Sequence, residues 1–110
     1  MSNTMPKINE FIRVVPVKEN PSADKMVFGE LYDGTSPESC GGPWVSFLCP
    51  CGCGNDIFLP VVGDTRMKVR SHPSWVYGIE NGKITLAPSI LMTGGCKSHY
   101  FIRGNRVDWC

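Results

Sequence analysis

The chain has 110 residues, of which 42% are hydrophobic and 19% are charged, and this composition suits one folded domain spanning residues 1–110. Its net charge of +1 argues against a nucleic-acid partner, because polybasic proteins bind nucleic acid by neutralising phosphates. No apolar run approaches the roughly 20 residues needed to cross a membrane, and residues 1–20 lack the apolar core of a secretion signal. We therefore expect a cytoplasmic protein with neither nucleic-acid nor membrane partners.

Short apolar runs separated by glycine and proline predict a β-rich domain. The chain contains 12 Gly and 9 Pro, and no segment keeps a helical apolar period for more than about two turns. Residues 33–43 have the composition of a loop, and residues 1–43 carry no motif that indicates a function. Strands are predicted, in chain order, at residues 11–17, 25–32, 44–48 and 57–62, with a short one at 67–70.

A tight hairpin is predicted between strands at 75–79 and 84–87. The two residues at its tip are Asn81-Gly82, the strongest short hairpin signal, because both positions of the turn need a positive φ. A two-residue loop gives the hairpin one apolar face for the core. On that face the loop pairs Ile79 with Ile84 and Tyr77 with Leu86.

A second hairpin is predicted at 100–103 and 106–109, around Gly104-Asn105. Its register puts His99 opposite Cys110 on the face away from the core, with Cβ atoms ~4.5–5.5 Å apart. These patterns together predict a small all-β domain with an antiparallel sheet and two hairpins in its second half. On the core face, the second hairpin pairs Ile102 with Val107 and Tyr100 with Trp109.

The clustering of the six cysteines favours a metal site. Cys49, Cys51 and Cys53 are poorly placed to bridge one another, whereas Cys96 and Cys110 lie far along the chain. Two distant cysteine segments brought together are typical of a zinc site, and disulfides are rare in the cytoplasm. We expect one structural Zn²⁺ that staples the domain, with an iron–sulfur centre and disulfides as the alternatives.

A structural zinc site has four ligand positions, and the chain has more candidate ligands than that. If Cys96 and His99 both bind it, with the two-residue gap of a zinc knuckle, the site is closed and the protein is structural. If the site is made of cysteines, His99 is left free beside it. The favoured ligands are Cys49, Cys53, Cys96 and Cys110, with Cys51 as the alternate in the first segment.

Three motifs within residues 44–110 carry a resemblance to a known family. They are Phe47-Leu-Cys-Pro-Cys-Gly-Cys-Gly54, Ile84-Thr-Leu-Ala-Pro-Ser-Ile90 and Cys96-Lys-Ser-His-Tyr-Phe-Ile-Arg-Gly-Asn-Arg-Val-Asp-Trp-Cys110. In combination they resemble a small bacterial and phage family found in operons that encode ubiquitin-like conjugation systems. The resemblance implies a serine-type peptidase that processes or removes the ubiquitin-like protein, with the tail of that protein as the partner.

The resemblance also implies that His99 is a general base and that a nearby serine is the nucleophile. Ser89 and Ser98 are the candidates, and Ser89 is favoured because Ser98 and His99, as neighbours in an extended segment, point to opposite faces. Asp108 is a candidate for orienting the base, although the predicted register turns it toward solvent. Backbone N–H groups of Gly52, Gly54 or Gly94-Gly95 would stabilise the oxyanion.

A non-enzymatic role is the alternative reading of the same residues. The Pro-Ser pair that contains Ser89 is common in turns, and the chain has no Gly-x-Ser-x-Gly motif to present a nucleophile. The protein would then be a zinc-binding module that binds a partner protein without cleaving it.

Overall fold

The computed structural model describes residues 7–41, 43–62, 75–92 and 96–110. In these ranges the protein is nearly all β-structure, which confirms the predicted fold class. A short 3-10 helix covers Ala23–Lys25, and no helix in the described part of the chain has the length and apolarity needed to cross a bilayer. The strands are β1 (Arg13–Pro16), β2 (Glu30–Gly34), β3 (Trp44–Leu48), β4 (Asp56–Val62), β5 (Trp75–Glu80), β6 (Lys83–Leu91), β7 (His99–Arg103) and β8 (Arg106–Trp109).

The strands form one mixed sheet whose spatial order follows the chain from β1 to β8. Most neighbours are antiparallel, but β1 runs parallel to β2 and β4 runs parallel to β5. The predicted antiparallel sheet is therefore corrected to a mixed one. Parallel neighbours need long connections, and residues 17–29 provide the length for the chain to return from β1 to β2 in the same direction.

The chain just before β1 closes the sheet against its last strand. Glu10 forms an antiparallel bridge with Arg106. The N–H of Phe11 donates to the carbonyl of Asn105 at 2.7 Å, and the N–H of Val107 donates to the carbonyl of Asn9 at 2.8 Å. Residues 9–11 therefore cover the outer edge of β8 at the start of this strand.

The core is formed by inward-pointing side chains from both ends of the chain. The rings of Phe11 and Phe47 pack edge to face with centroids 5.2 Å apart, a favourable aromatic geometry. Ile84 and Tyr100 from the second half of the sheet are buried in the same cluster. One continuous core thus connects the segment before β1 with the C-terminal hairpin.

Both predicted hairpins are confirmed with the predicted registers. At the turns, Asn81, Gly82, Gly104 and Asn105 all have φ between 53° and 74°, as a two-residue hairpin loop of this type requires. Ile79 differs from the expected core face, since 46% of its side chain is exposed. The apolar face of the first hairpin therefore extends beyond the core toward the turn.

Two of the predicted strands differ clearly in extent from the observed ones. The strand predicted at 25–32 begins only at Glu30, because the 3-10 helix occupies its start and Gly29 has a φ of 96°. The strand predicted at 84–87 continues to Leu91, which brings Ser89 into the sheet. The strand predicted at 67–70 lies outside the described residues.

Candidate catalytic dyad and metal centre

Ser89 lies in an irregular stretch of β6. The register of β6 against β7 shifts at residues 87–89, which lie opposite Phe101 alone. Pro88 accounts for the irregularity, because proline has no N–H for the ladder and is confined within sheets to edges and bulges. Bulges redirect side chains and are common beside active sites, so this stretch of β6 is a candidate site.

His99, the first residue of β7, lies beside the bulge. Its partner on β6 is Leu91, so His99 and Ser89 are diagonal neighbours on one face of the sheet. The Nε2 atom of His99 is 2.8 Å from the Oγ atom of Ser89, which is hydrogen-bonding distance. Both side chains are half-buried, so neighbouring residues hold the pair while solvent still reaches it.

The backbone of Ser89 is held from the other neighbouring strand. The indole N–H of Trp75, at the start of β5, donates to the carbonyl of Ser89 at 3.3 Å. Trp75 itself packs partly against the core. Ser89 is therefore fixed from both sides, by its carbonyl toward β5 and by its hydroxyl toward β7.

Other predicted catalytic residues lie elsewhere. Ser98 is only 9% exposed, and its hydroxyl donates to the Sγ atom of Cys96 at 3.2 Å. The carboxylate of Asp108 lies 3.2 Å from Arg103, and within the described ranges no carboxylate hydrogen-bonds to the His99 ring. Gly94-Gly95, suggested for the oxyanion, falls outside those ranges.

Four cysteine thiols come together where the β3–β4 connection meets the segment that enters β7. The Sγ atoms of Cys49, Cys51, Cys53 and Cys96 all lie within 4.8 Å of one another. The distance from Cys49 Sγ is 3.3 Å to Cys51 and 3.6 Å to Cys96. Four thiolates bound to zinc at about 2.3 Å would lie about 3.8 Å apart at the corners of a tetrahedron. The spacing therefore fits one tetrahedral ion.

The backbone of residues 49–55 turns tightly to bring the first three thiols to one place. The N–H of Cys49 donates to the carbonyl of Asn55 at 2.8 Å, and the N–H of Gly52 donates to the carbonyl of Cys49 at 3.0 Å. Gly52 and Gly54 both have a φ of 87°, a conformation that side-chain-bearing residues rarely adopt. The alternation of cysteine and glycine in this motif is thus what allows the turn.

Hydrogen bonds partly offset the cost of ionising these thiols. Burial raises the pKa of Cys49 and of Cys53, because a buried thiolate is poorly solvated. Burial acts in the same direction at Cys96, but hydrogen bonds outweigh it and lower the pKa to about 6. The hydroxyl and the backbone N–H of Ser98 contribute most to this lowering, followed by the thiols of Cys51 and Cys49. The backbone N–H groups of Cys51 and Asn55 act likewise on Cys49 and Cys53. Each of these amides lies two residues after its thiol, an arrangement that would support metal-bound thiolates.

A buried hydroxyl near the thiols has no partner. Tyr100 is 0% exposed, and its Oη atom accepts or donates no hydrogen bond among the described residues. Burial, followed by the charges of Cys49, Cys96 and Cys51, raises its pKa. An unpaired buried donor costs about 1–3 kcal/mol, and thiolates that hold an ion would offer an acceptor. The four thiols could therefore hold a metal ion, and the thiolates bound to it would give the Tyr100 hydroxyl an acceptor.

The structure brings together Cys49, Cys53 and Cys96 from the predicted ligand set, and Cys51 completes the cluster where Cys110 was favoured. Cys110 is exposed, and its N–H donates to the carbonyl of His99 at 3.0 Å, so it lies opposite His99 as expected. That register turns Cys110 to the outer face, and it is the sequence signal that separates Cys110 from the cluster of four thiols. All six cysteines lie in the described residues and all are free, and His99 contacts Ser89 rather than the thiols.

Comparison with protein families matches residues 17–110 to BubE, described as the serine protease of a bacterial ubiquitination-like system. The chain belongs to this family. The resemblance to a family of bacterial ubiquitin-like operons is thereby confirmed, and BubE membership extends it to strands that carry no motif. Comparisons with curated proteins and with solved structures gave no match.

Proposed function

We propose that this chain is a serine-type peptidase that hydrolyses a peptide or isopeptide bond at the tail of a bacterial ubiquitin-like protein. The observation that carries the proposal is the 2.8 Å distance between Nε2 of His99 and Oγ of Ser89. A serine becomes nucleophilic when a base within hydrogen-bonding reach takes its proton. The BubE description supports both the reaction class and the protein partner.

The reaction proceeds in two halves. The Oγ atom of Ser89 attacks the carbonyl carbon of the scissile bond while Nε2 of His99 takes the hydroxyl proton. His99 passes that proton to the leaving amine as the C–N bond breaks, which leaves an ester on Ser89. Water then attacks the ester carbonyl while His99 takes one proton from the water. That proton passes to Oγ of Ser89 as the C–O bond breaks, and the carboxylic acid product releases its own proton to solvent.

We further propose a structural Zn²⁺ held by Cys49, Cys51, Cys53 and Cys96. The mutual Sγ spacing of at most 4.8 Å supports one ion, and an all-sulfur tetrahedral set favours zinc or iron. Four protein ligands leave no position for a substrate, so the ion would stabilise the fold and take no part in the hydrolysis. Its effect would be to tie the β3–β4 connection to the segment that carries His99.

The test compares single variants on one substrate. The substrate is a ubiquitin-like protein of a bacterial ubiquitination-like system, fused at its C-terminus to a short peptide, with cleavage followed by intact-mass spectrometry. We expect Ser89→Ala to lower kcat/KM by about 10³-fold or more, and His99→Gln by about 10²–10⁴-fold. Ser39→Ala is the matched control, because the Ser39 hydroxyl donates to the carbonyl of Val17, far along the chain from the dyad.

The zinc content of each variant, measured by native mass spectrometry, separates the outcomes. Loss of cleavage with zinc retained in Ser89→Ala and His99→Gln supports the peptidase. Wild-type cleavage by Ser89→Ala would show that another residue is the nucleophile. A wild-type protein that binds the fusion but leaves it intact would be a zinc-binding interaction module.

A further inference from the structure

Neighbouring side chains of residues 98–100 point to opposite faces of one extended segment, and a different site lies on each face. Side chains alternate along extended backbone, so Ser98 and Tyr100 point one way and His99 points the other. Ser98 is 9% exposed and Tyr100 is 0% exposed, whereas His99 is half-buried beside Ser89. The residue of the dyad that acts as a base is therefore held between two buried hydroxyl-bearing neighbours.

The first of these hydroxyls already contacts the thiol cluster. The Oγ atom of Ser98 donates to Cys96 Sγ at 3.2 Å and lies 4.0 Å from Cys49 Sγ. The backbone of Ser98 is fixed as well, because its carbonyl accepts a hydrogen bond from the N–H of Met92 at 2.8 Å. Ser98 thus bridges the cluster and the end of β6, two residues beyond Ile90.

The second hydroxyl is the unpaired Oη atom of Tyr100. Its ring packs on Trp109 with centroids 5.2 Å apart and lies in the same buried cluster as Cys49. Tyr100 is 0% exposed, so the hydroxyl does not reach solvent to find a partner. A buried hydroxyl in this position is explained if it serves an acceptor that forms when the thiols are ionised by a bound metal.

We propose that Ser98 and Tyr100 are positioning residues that donate hydroxyl hydrogen bonds to the metal-bound thiolates of Cys96 and Cys49, and thereby fix His99 toward Ser89. This inference rests on the proposed zinc centre. Hydrogen bonds to ligating atoms orient those atoms and stabilise their charge. The same two bonds hold the backbone on either side of His99, so one set of contacts serves both the metal and the base.

The experiment measures zinc affinity and the spectrum of the cobalt-substituted protein, both of which are independent of activity. Ser98→Ala and Tyr100→Phe remove one hydroxyl each, and we expect each to weaken zinc binding by about 10–100-fold in competition with a chromophoric chelator. With Co²⁺ in place of zinc, the sulfur-to-metal charge-transfer bands should shift, because the thiolates lose a hydrogen bond. Ser98→Thr keeps the hydroxyl and should restore most of the affinity.

Two buried hydroxyls elsewhere in the protein provide matched controls. Ser46 donates to Asn20 at 2.6 Å, and Tyr32 donates to Glu30 at 3.3 Å, so both are satisfied away from the cysteines. Ser46→Ala and Tyr32→Phe should leave the zinc affinity and the cobalt spectrum at their wild-type values. These variants distinguish a specific effect on the thiolates from a general loss of stability.

The outcomes separate this inference from the proposals on which it builds. Unchanged zinc affinity in Ser98→Ala and Tyr100→Phe, with a wild type that binds zinc, would overturn the inference alone. A wild type that binds no metal would overturn the zinc centre and the inference together. At saturating zinc we expect kcat on the fusion substrate to fall with little change in KM, and an unchanged kcat would overturn the positioning of His99.

Discussion

Cys96 is the thiol of the cluster whose surroundings favour the ionised form. Its neighbour Cys49 has a raised pKa because it is buried, whereas hydrogen bonds, first from Ser98 and then from the neighbouring thiols, overcome burial at Cys96 and lower its pKa to about 6. At neutral pH the metal-free protein would therefore carry a thiolate at Cys96. Since the thiolate is the metal-binding form of cysteine, Cys96 would be the first thiol of the proposed centre to bind an incoming ion.

Alkylation of the metal-free protein tests this difference. Because the thiolate is the nucleophile, we expect the rate of iodoacetamide modification at Cys96 to rise with pH and to reach half its maximum near pH 6. Cys49 and Cys53 should react more slowly throughout, since their pKa values are raised. Peptide mass spectrometry reads each site, in a background with the exposed Cys40 and Cys110 replaced by serine. Preferential modification of Cys49, or a Cys96 rate that rises only above about pH 8.5, would contradict the prediction.

The second hairpin depends on one buried turn residue. Asn105 has a φ of 66° and is 4% exposed. Its Oδ1 atom accepts a hydrogen bond from the N–H of Ile84 at 2.8 Å, and its own N–H donates to the carbonyl of Ile84 at 2.9 Å. The turn between β7 and β8 is thereby joined to the start of β6, so the two hairpins form one unit.

We expect Asn105→Ala to destabilise the protein more than the equivalent change in the other turn. Asn81 has a φ of 53° but an exposed side chain, so Asn81→Ala carries the backbone cost without losing a buried hydrogen bond. Asn105→Ala also leaves the N–H of Ile84 unpaired, which should add about 1–3 kcal/mol to the loss of unfolding free energy. Urea denaturation of the two variants measures the difference. Equal losses would mean that the Asn105 side chain contributes nothing beyond its backbone conformation.

The elements that could be predicted from sequence are those fixed by local chemistry. Asn81-Gly82 and Gly104-Asn105 specify their own turns, and each turn sets the register of its hairpin. The parallel pairing of β1 with β2 depends on contacts between distant segments and leaves no local pattern. The bulge beside Ser89 could not be predicted from the sequence either, although Pro88 indicates where the ladder of hydrogen bonds must be interrupted.

The same distinction applies to the site. The cysteine spacing predicts a metal centre, and the hairpin register separates His99 and Cys110 from the buried face. Which thiols of residues 49–53 converge depends on the turn through Gly52 and Gly54, whose positive φ values cannot be read from spacing. The 2.8 Å contact of His99 with Ser89 depends on the length of β6, which continues past the predicted end.

At the scale of the whole molecule, the thiol cluster connects parts of the sheet that are far apart in sequence. Three thiols lie between β3 and β4, and the fourth precedes β7. A ligand that binds the folded state stabilises it by RT ln(1 + [L]/Kd), about 4 kcal/mol when zinc is present at 1,000 times its Kd. A domain of this size cannot lose that amount without a large fall in its melting temperature.

We expect a strong chelator to lower the melting temperature by about 10 °C or more, and added zinc to restore it. Two serine variants identify the ligands. Cys51→Ser should abolish the difference between chelated and zinc-loaded protein, whereas Cys110→Ser, outside the cluster, should preserve it. Differential scanning calorimetry measures both. The reverse pattern would restore Cys110 to the ligand set and remove Cys51.

Closure of the sheet by residues 9–11 also constrains the order of events during synthesis. These residues pair with β8, so their partners are translated after all the other strands of the sheet. While the ribosome is still adding β5 to β7, Phe11 already exists but the edge that it covers does not. Such long-range pairing slows folding and exposes incomplete surfaces. The nascent protein therefore cannot complete its core before β8 leaves the exit tunnel, and sheet closure must follow the synthesis of every other strand.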